Sequence, residues 1–167
     1  MNSKSIFGSF CFLAMLVTQA WAAQGNEDKF IERGRYIVRT SGCNDCHTQG
    51  YPESGGTTPQ TRWLTGNTVG FSGPWGTTYP SNLRLLFQTL SEKEWMAKAR
   101  NPLRPPMPWF LLRDMNDDDL RAIYRFVRSL GAQGEAAPAF VPPGQVVHTP
   151  YIEFVPKNLA KQAKAGE

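Results

Sequence analysis

"CNDCH", residues Cys43 to His47, decides how this chain reads. Two thiols separated by two residues sit about one helical turn apart, and an imidazole follows at once. Four chemistries use such a pair. A zinc site needs four ligands, and His148 is the one further histidine in the sequence. A thioredoxin-like dithiol needs a strand before Cys43 within a βαβ pattern, and neither is visible. A disulfide across two intervening residues closes too short a loop to add much stability. The fourth reading is a c-type haem. Each thiol adds to a vinyl group along one porphyrin edge, and the histidine comes to lie under the iron with a ring nitrogen free to bind it.

Upstream, Lys4 and the apolar run "IFGSFCFLAMLV" (Ile6 to Val17) read as a secretory signal, too short to span a bilayer. Ala20-Trp21-Ala22 supplies a small-x-small cleavage pattern, so residues 1–22 are expected to be removed and the mature chain to begin near Ala23. Cys11 lies inside the apolar run and not at a cleavage site, which argues against a lipid-anchored cysteine. The 145 residues that remain of 167 suit one domain with a modest core. Lys4 is the one charge lost, so the formal net charge falls from +4 to +3. That excess is mild and unclustered, which excludes a nucleic-acid binder. Two cysteines remain, too few for a secreted disulfide scaffold.

Around the motif the chain divides into four segments. "NEDKFIERGRYIVRTSG" predicts a helix capped by Asn26, with Phe30, Gly34, Ile37 and Val38 on one face and Gly42 at its turn. A mid-helix glycine costs about 1 kcal/mol relative to alanine, so Gly34 predicts close approach of another element. Residues 48–90 are rich in Gly, Thr, Pro and aromatics and hold no sustained period, as expected of a segment that wraps something. "LSEKEWMAKAR" then opens a short helix with Ser91 and Glu94 in a capping-box relation. "NDDDLRAIYRFVRSLG" is the clearest helix. Asn116 caps it, Gly131 stops it, and Leu120, Ile123, Tyr124, Val127 and Leu130 form its stripe. From Ala132 onward a Pro-rich tail is expected to be extended or disordered, its scattered apolar residues packing along the surface.

A haem needs a second axial ligand, and the candidates are Met96, Met107, Met115 and His148. Met96 falls inside a short helix, where a packing role is ordinary. Met115 precedes the cap Asn116 and is spaced to staple against Leu120. His148 would give a bis-histidine haem, but it sits in the tail. Met107 lies in "RPPMPWF" (residues 104–110), where Pro105, Pro106 and Pro108 stiffen the backbone around it. Less entropy is then lost when the sulfur is held on iron, and Met107 is the favoured ligand. Hydrogen bonds to a haem propionate are open to Trp63, Trp75 and Tyr79, against a plainer role of packing on the macrocycle.

"GRYIVRTSGCNDCHT" and "PPMPWFLLRDMNDDDLRAIYRFVRSLG" together resemble a bacterial monohaem class I cytochrome c, over roughly residues 28–131. The pattern is similar to the cytochrome domains found alone or fused in periplasmic dehydrogenase electron-transfer subunits. "GTTYPSNL" (Gly76 to Leu83) resembles the segment before their third helix. The resemblance implies an all-α fold, its first and last helices crossing with Gly34 against Tyr124. It implies one covalent haem c on Cys43 and Cys46, with His47 proximal and Met107 distal, in an exported, periplasmic protein.

The expected domains are a signal peptide over 1–22, a cytochrome c domain over 23–131 and a tail over 132–167. The expected function is single-electron transfer, with no enzyme activity of its own, no nucleic-acid partner and no membrane span in the mature protein. Its partners would be redox proteins: a dehydrogenase, an oxidase or another cytochrome. Two alternatives stand beside it. One is a dedicated subunit of a dehydrogenase complex. The other is a catalytic or sensory haem protein with a displaceable Met107. The long loop over 48–90 and the tail depart from the smallest members of the family and leave partner choice open.

Overall fold

The computed structural model describes residues 7–157, with side chains from Gln24 onward; residues 1–6 of the expected signal and 158–167 of the tail lie outside the described residues. Helix α1 (Phe7–Thr40) is followed by α2 (Cys43–His47), a single 3-10 turn (Gln60–Arg62), strands β1 (Gly70–Gly73) and β2 (Gly76–Thr78), and helix α3 (Leu83–Thr89). Then come α4 (Glu92–Ala99), α5 (Trp109–Asp114), α6 (Asp117–Ser129) and a last strand, β3 (Tyr151–Glu153). No described helix is long and apolar enough to cross a membrane.

α1 does not begin at Asn26, as its capping chemistry predicts. It runs through that residue, which therefore lies in the helix and not at its end. The Ala-rich residues just upstream favour helix, and Gly25 alone costs too little to break it. Near its other end α1 turns on Gly42, whose φ of 73° lies in the left-handed region that glycine adopts without strain.

α1 and α6 cross in close contact, and Gly34 is the reason they can. A Cβ at Gly34 would overlap the Ala122 carbonyl oxygen and come within 2.7 Å of Phe126 Cβ. The expected facing residue, Tyr124, is not the one found. Its hydroxyl donates to the Leu90 carbonyl at 2.9 Å, and its ring packs 5.8 Å from Phe87. The stripe on α6 is wider than its spacing suggests: Leu120, Ala122, Ile123, Phe126 and Val127 are all buried. Ala122 and Phe126 face α1, so the helix is covered on two sides, which a single-face pattern does not reveal.

The caps follow the sequence closely. Asn116 Oδ1 accepts from the Asp119 amide at 2.7 Å, and the Ser91–Glu94 box closes in both directions. Asn82 caps α3 in the same way, accepting from the Leu85 amide. One cap has no local signal. The buried Arg84 donates through Nε to the Gly131 carbonyl at 2.7 Å and through Nη2 to the Leu130 carbonyl, so a cation from α3 closes the C-terminal end of α6. α5 is a further helix for which the sequence carries no capping signal. "WFLLRD" is six residues long, and its last carbonyls are held by Arg100, which donates to Leu112, Arg113 and Met115 and pairs with Asp117 at 2.5 Å.

The fold is all-α in its core, as expected, with a small sheet added among the described residues, built from a hairpin in the loop of residues 48–90 and one strand of the tail. β1 and β2 form an antiparallel hairpin in which Phe71 faces Thr78 and Gly73 faces Gly76. β3 joins β1 in parallel, placing Ile152 opposite Phe71, so the sheet order is β2-β1-β3. The tail is therefore extended and bound to the hairpin. Its apolar side chains are less covered than expected: Val146 is 73% exposed, and Tyr151, Ile152 and Phe154 are exposed too.

Candidate functional site

The five-residue helix α2 presents both thiols and the imidazole of CNDCH to one cavity. Asn44 and Thr48, fully buried, hold this turn to the following loop. Thr48 Oγ1 donates to Asn44 Oδ1 at 2.7 Å and accepts from the Leu64 amide at 2.8 Å. Asn44 Nδ2 is buried without a partner. The rest of the lining comes from helices α1 and α3 to α6, the hairpin and the segment after it, the loop of residues 103–108 and the tail.

His47 is buried, and its Nδ1 lies 2.8 Å from the Ser81 carbonyl. That carbonyl can only accept, so Nδ1 carries the proton and Nε2 keeps its lone pair. Burial holds the imidazole below its ordinary pKa, against a smaller opposing effect of the Ser81 bond. The neutral ring is the form that binds a metal. Burial also pushes the Cys43 thiol up to about 11, and burial together with the nearby Asp45 carboxylate raises Cys46. Catalytic dithiols have the opposite shift, toward thiolate. Both cysteines are free of disulfides, and helix α1, not a strand, precedes them. Among the described residues no group of three or more His, Cys, Asp or Glu side chains could hold a bare metal ion.

The cavity measures about 840 Å³, within the range of roughly 300–1,000 Å³ typical of ligand pockets. Its lining is mainly apolar, from Phe71, Leu86, Phe87, Trp95, Leu112 and Val127 among others. Trp95 Nε1 donates to the Leu120 carbonyl at 2.9 Å, so the indole presents no unpaired donor there. The charged side chains on the wall are Asp45, Lys98 and Arg104. Two thiols, an imidazole, thioethers, flat apolar walls and two cations at one cavity suit a porphyrin that carries iron at its centre and carboxylates at its edge. The residues fit that group.

Met107 lines the same cavity. Its loop is tied to the hairpin, where Thr78 Oγ1 donates to the Pro105 carbonyl at 2.7 Å, and is tightened locally by the Trp109 amide, which donates to the Met107 carbonyl at 2.8 Å. Met115 also lines the cavity, at the junction of α5 and α6, in addition to packing against the core. Met96 packs against the core away from the cavity, and His148 is exposed in the tail.

The three aromatics considered for propionate contacts separate. Trp63 is buried behind the site, its Nε1 donating to the Thr58 carbonyl at 2.8 Å. Trp75 packs against Phe154, off the cavity. Tyr79 reaches the wall, but its hydroxyl is bonded to Thr149 Oγ1 at 2.6 Å. Sequence reasoning missed the cations Lys98 and Arg104 and the lining residues Ala136, Ala137, Pro138 and Phe140. Lys98 lies in the last turn of the predicted helix α4, where a basic residue reads as ordinary helix chemistry. Arg104 and the other four come from an unpatterned loop and tail, where no periodicity marks a face.

The family model for cytochrome c matches residues 31–131. Among curated proteins, the chain is similar to a protein of Gluconobacter oxydans (strain 621H) named alcohol dehydrogenase (quinone), cytochrome c subunit. The two are 29% identical over 117 residues, which is 62% of this chain and 22% of that protein. The chain thus spans about a fifth of the length of the relative it matches. No solved structure matches the chain.

Proposed function

The chain belongs to the cytochrome c family, whose cofactor is a covalently bound haem c, and on that footing we propose that it is a periplasmic carrier of single electrons with a His/Met-ligated haem. Cys43 and Cys46 would form the two thioether links, and His47 and Met107 would hold the iron, in the proximal and distal roles respectively. The observation that carries this reading is that all four side chains line one cavity. When bound, the haem supplies a one-electron iron couple, and a neutral thioether ligand raises its potential.

The chain's own residues do the rest. The Ser81 carbonyl keeps the His47 proton on Nδ1, leaving Nε2 for iron. Thr78 and the flanking prolines hold the Met107 loop. The apolar lining limits water, which favours the less charged ferrous state. With His47 and Met107 both on the iron, no position would be left open for oxygen or peroxide, which is the reading of a carrier rather than an enzyme. Export follows from the signal at residues 1–22, which precedes the cytochrome domain of 23–131.

A second reading is that the protein works as a dedicated subunit docked to a dehydrogenase. It is favoured by the likeness to a protein named as such a subunit. Co-purification with a dehydrogenase would support it, and a freely diffusing monomer that exchanges electrons with several partners would count against it.

The carrier reading is tested by the ferric spectrum of the purified holoprotein. A low-spin spectrum with the weak long-wavelength sulfur-to-iron band, lost in Met107→Ala, is expected. A high-spin resting spectrum would overturn it. Replacing both Cys43 and Cys46 by serine is expected to abolish haem staining in a denaturing gel.

A further inference from the structure

We propose that the chain after α6 is a fixed wall of the haem pocket, with Phe140 as the side chain that closes it and Arg104 as the clamp that holds Phe140. Ala136, Ala137, Pro138 and Phe140 all line the cavity that holds Cys43, Cys46, His47 and Met107. The tail is therefore part of the site and not a tether trailing from a finished domain.

The attachment is extensive and polar, which separates it from a loosely adsorbed segment. Asn82 Nδ2 donates to the Gln133 and Glu135 carbonyls at 2.7 and 3.0 Å, and Arg84 Nη1 donates to Gln133 Oε1 at 2.6 Å. Thr77 and Val141 then exchange both backbone bonds, at 2.8 and 3.0 Å. Further along, the Gly70 amide donates to the Pro150 carbonyl, Tyr79 bonds Thr149, and β3 pairs with β1. Phe140 lies between the first and last of these anchors.

Two residues are shaped for that closure. Gly76 has a φ of 96°, and a Cβ there would overlap the Val141 carbonyl oxygen and come 3.1 Å from the Phe140 ring. No larger residue lets the tail lie so close. The Arg104 guanidinium stands 4.4 Å from the centre of the Phe140 ring and also lines the cavity. Such a cation-π contact holds an aromatic ring in place at a partly exposed edge. Arg104 thus links the Met107 loop, three residues away, to the tail.

The consequence concerns the environment of the iron. A wall of proline and phenylalanine at the cavity excludes water, and water preferentially stabilises the more highly charged ferric state. Removing the wall should lower the potential and admit small ligands to the ferric protein. The inference rests on haem occupying this cavity, and not on which methionine binds it.

The test uses the full-length holoprotein, Phe140→Ala, a chain ending at Gly131, and Val146→Ala. Val146 is in the tail but exposed and off the cavity. Covalent haem is checked first in a denaturing gel. The midpoint potential and the Kd for imidazole are then measured. Phe140→Ala is expected to favour the ferric state about tenfold, a fall of about 60 mV for one electron, and to bind imidazole about tenfold more tightly. The chain ending at Gly131 should shift at least as far, and Val146→Ala should match the parent.

A potential within about 18 mV of the parent (a twofold change in the one-electron equilibrium) together with an imidazole Kd within twofold in Phe140→Ala would overturn the proposal, as would an equal shift in Val146→Ala. If the shortened chain does not retain haem, Phe140→Ala alone decides. Failure of the His/Met reading is seen separately, as a sulfur-to-iron band absent from the parent protein.

Discussion

Thr78 Oγ1 donates to the Pro105 carbonyl at 2.7 Å, across a gap of 27 residues. This bond fastens the end of the β1–β2 hairpin to the loop that carries Met107. It makes the stiffness of "RPPMPWF" useful, because a rigid loop positions a sulfur only if the loop itself is anchored. Thr78→Val keeps the shape and removes the donor, at a net cost of about 1 kcal/mol. The ferric protein is expected to bind imidazole about fivefold more tightly while retaining its haem and helix content, because displacing the methionine becomes easier. An unchanged imidazole titration would show that the bond does not restrain Met107.

Two methionines line the cavity, so ligation is separable by substitution. Met115→Leu should keep the sulfur-to-iron band, since its position at the start of α6 is one of packing. Met107→His should retain haem, lose the band and lower the potential, because imidazole does not favour ferrous iron as a thioether does. Absorption spectra and a redox titration of the two variants decide the matter. The opposite pattern would make Met115 the ligand.

The crossing of α1 and α6 leaves no room for a side chain at Gly34. Gly34→Ala should destabilise the holoprotein by about 1–3 kcal/mol or more, since the overlap is with backbone and cannot be relieved by a rotamer change. Helix propensity alone would make the same substitution stabilising by about 1 kcal/mol. The sign of the shift in a urea midpoint therefore tells the two effects apart.

The Ser91–Glu94 capping box predicts a pH dependence. Bonds from the Ser91 hydroxyl, then from its amide, hold the Glu94 carboxyl below its ordinary pKa of 4.5. A depressed folded-state value means that the unfolded chain binds the proton more readily. The contribution is complete above the unfolded pKa and is lost as pH falls through the folded one. Glu94→Gln should therefore be less stable than the parent at neutral pH, with the difference shrinking below about pH 4.5. Urea midpoints measured at several pH values check this, and a gap that widens on acidification would refute it.

Much of the candidate site, in the sense of which residues line one cavity, was legible because its signals are local. CNDCH places two thiols and an imidazole on one turn, and Met107 is singled out by prolines immediately beside it. The caps at Ser91 and Asn116 are relations between residues three apart, which a sequence displays directly. Two expectations failed, one at a helix start and one at a helix crossing. Asn26 lies inside α1 because the residues before it also favour helix, and Tyr124 turns to Leu90 while Ala122 and Phe126 meet Gly34.

The sequence by itself determined the cofactor chemistry, the presence of the long first and last helices and the caps at Ser91 and Asn116, since spacing, period and capping act within a few residues. Tertiary structure decided what surrounds that chemistry. Arg84 closes α6 from 47 residues away, Thr78 anchors the Met107 loop, and the tail supplies Phe140 to the pocket wall. These contacts join segments with no shared period, so their energy comes from pairing groups that only the folded chain brings within reach. A glycine at position 76 announces a tight place in the sequence, but only the fold shows that Val141 and Phe140 fill it.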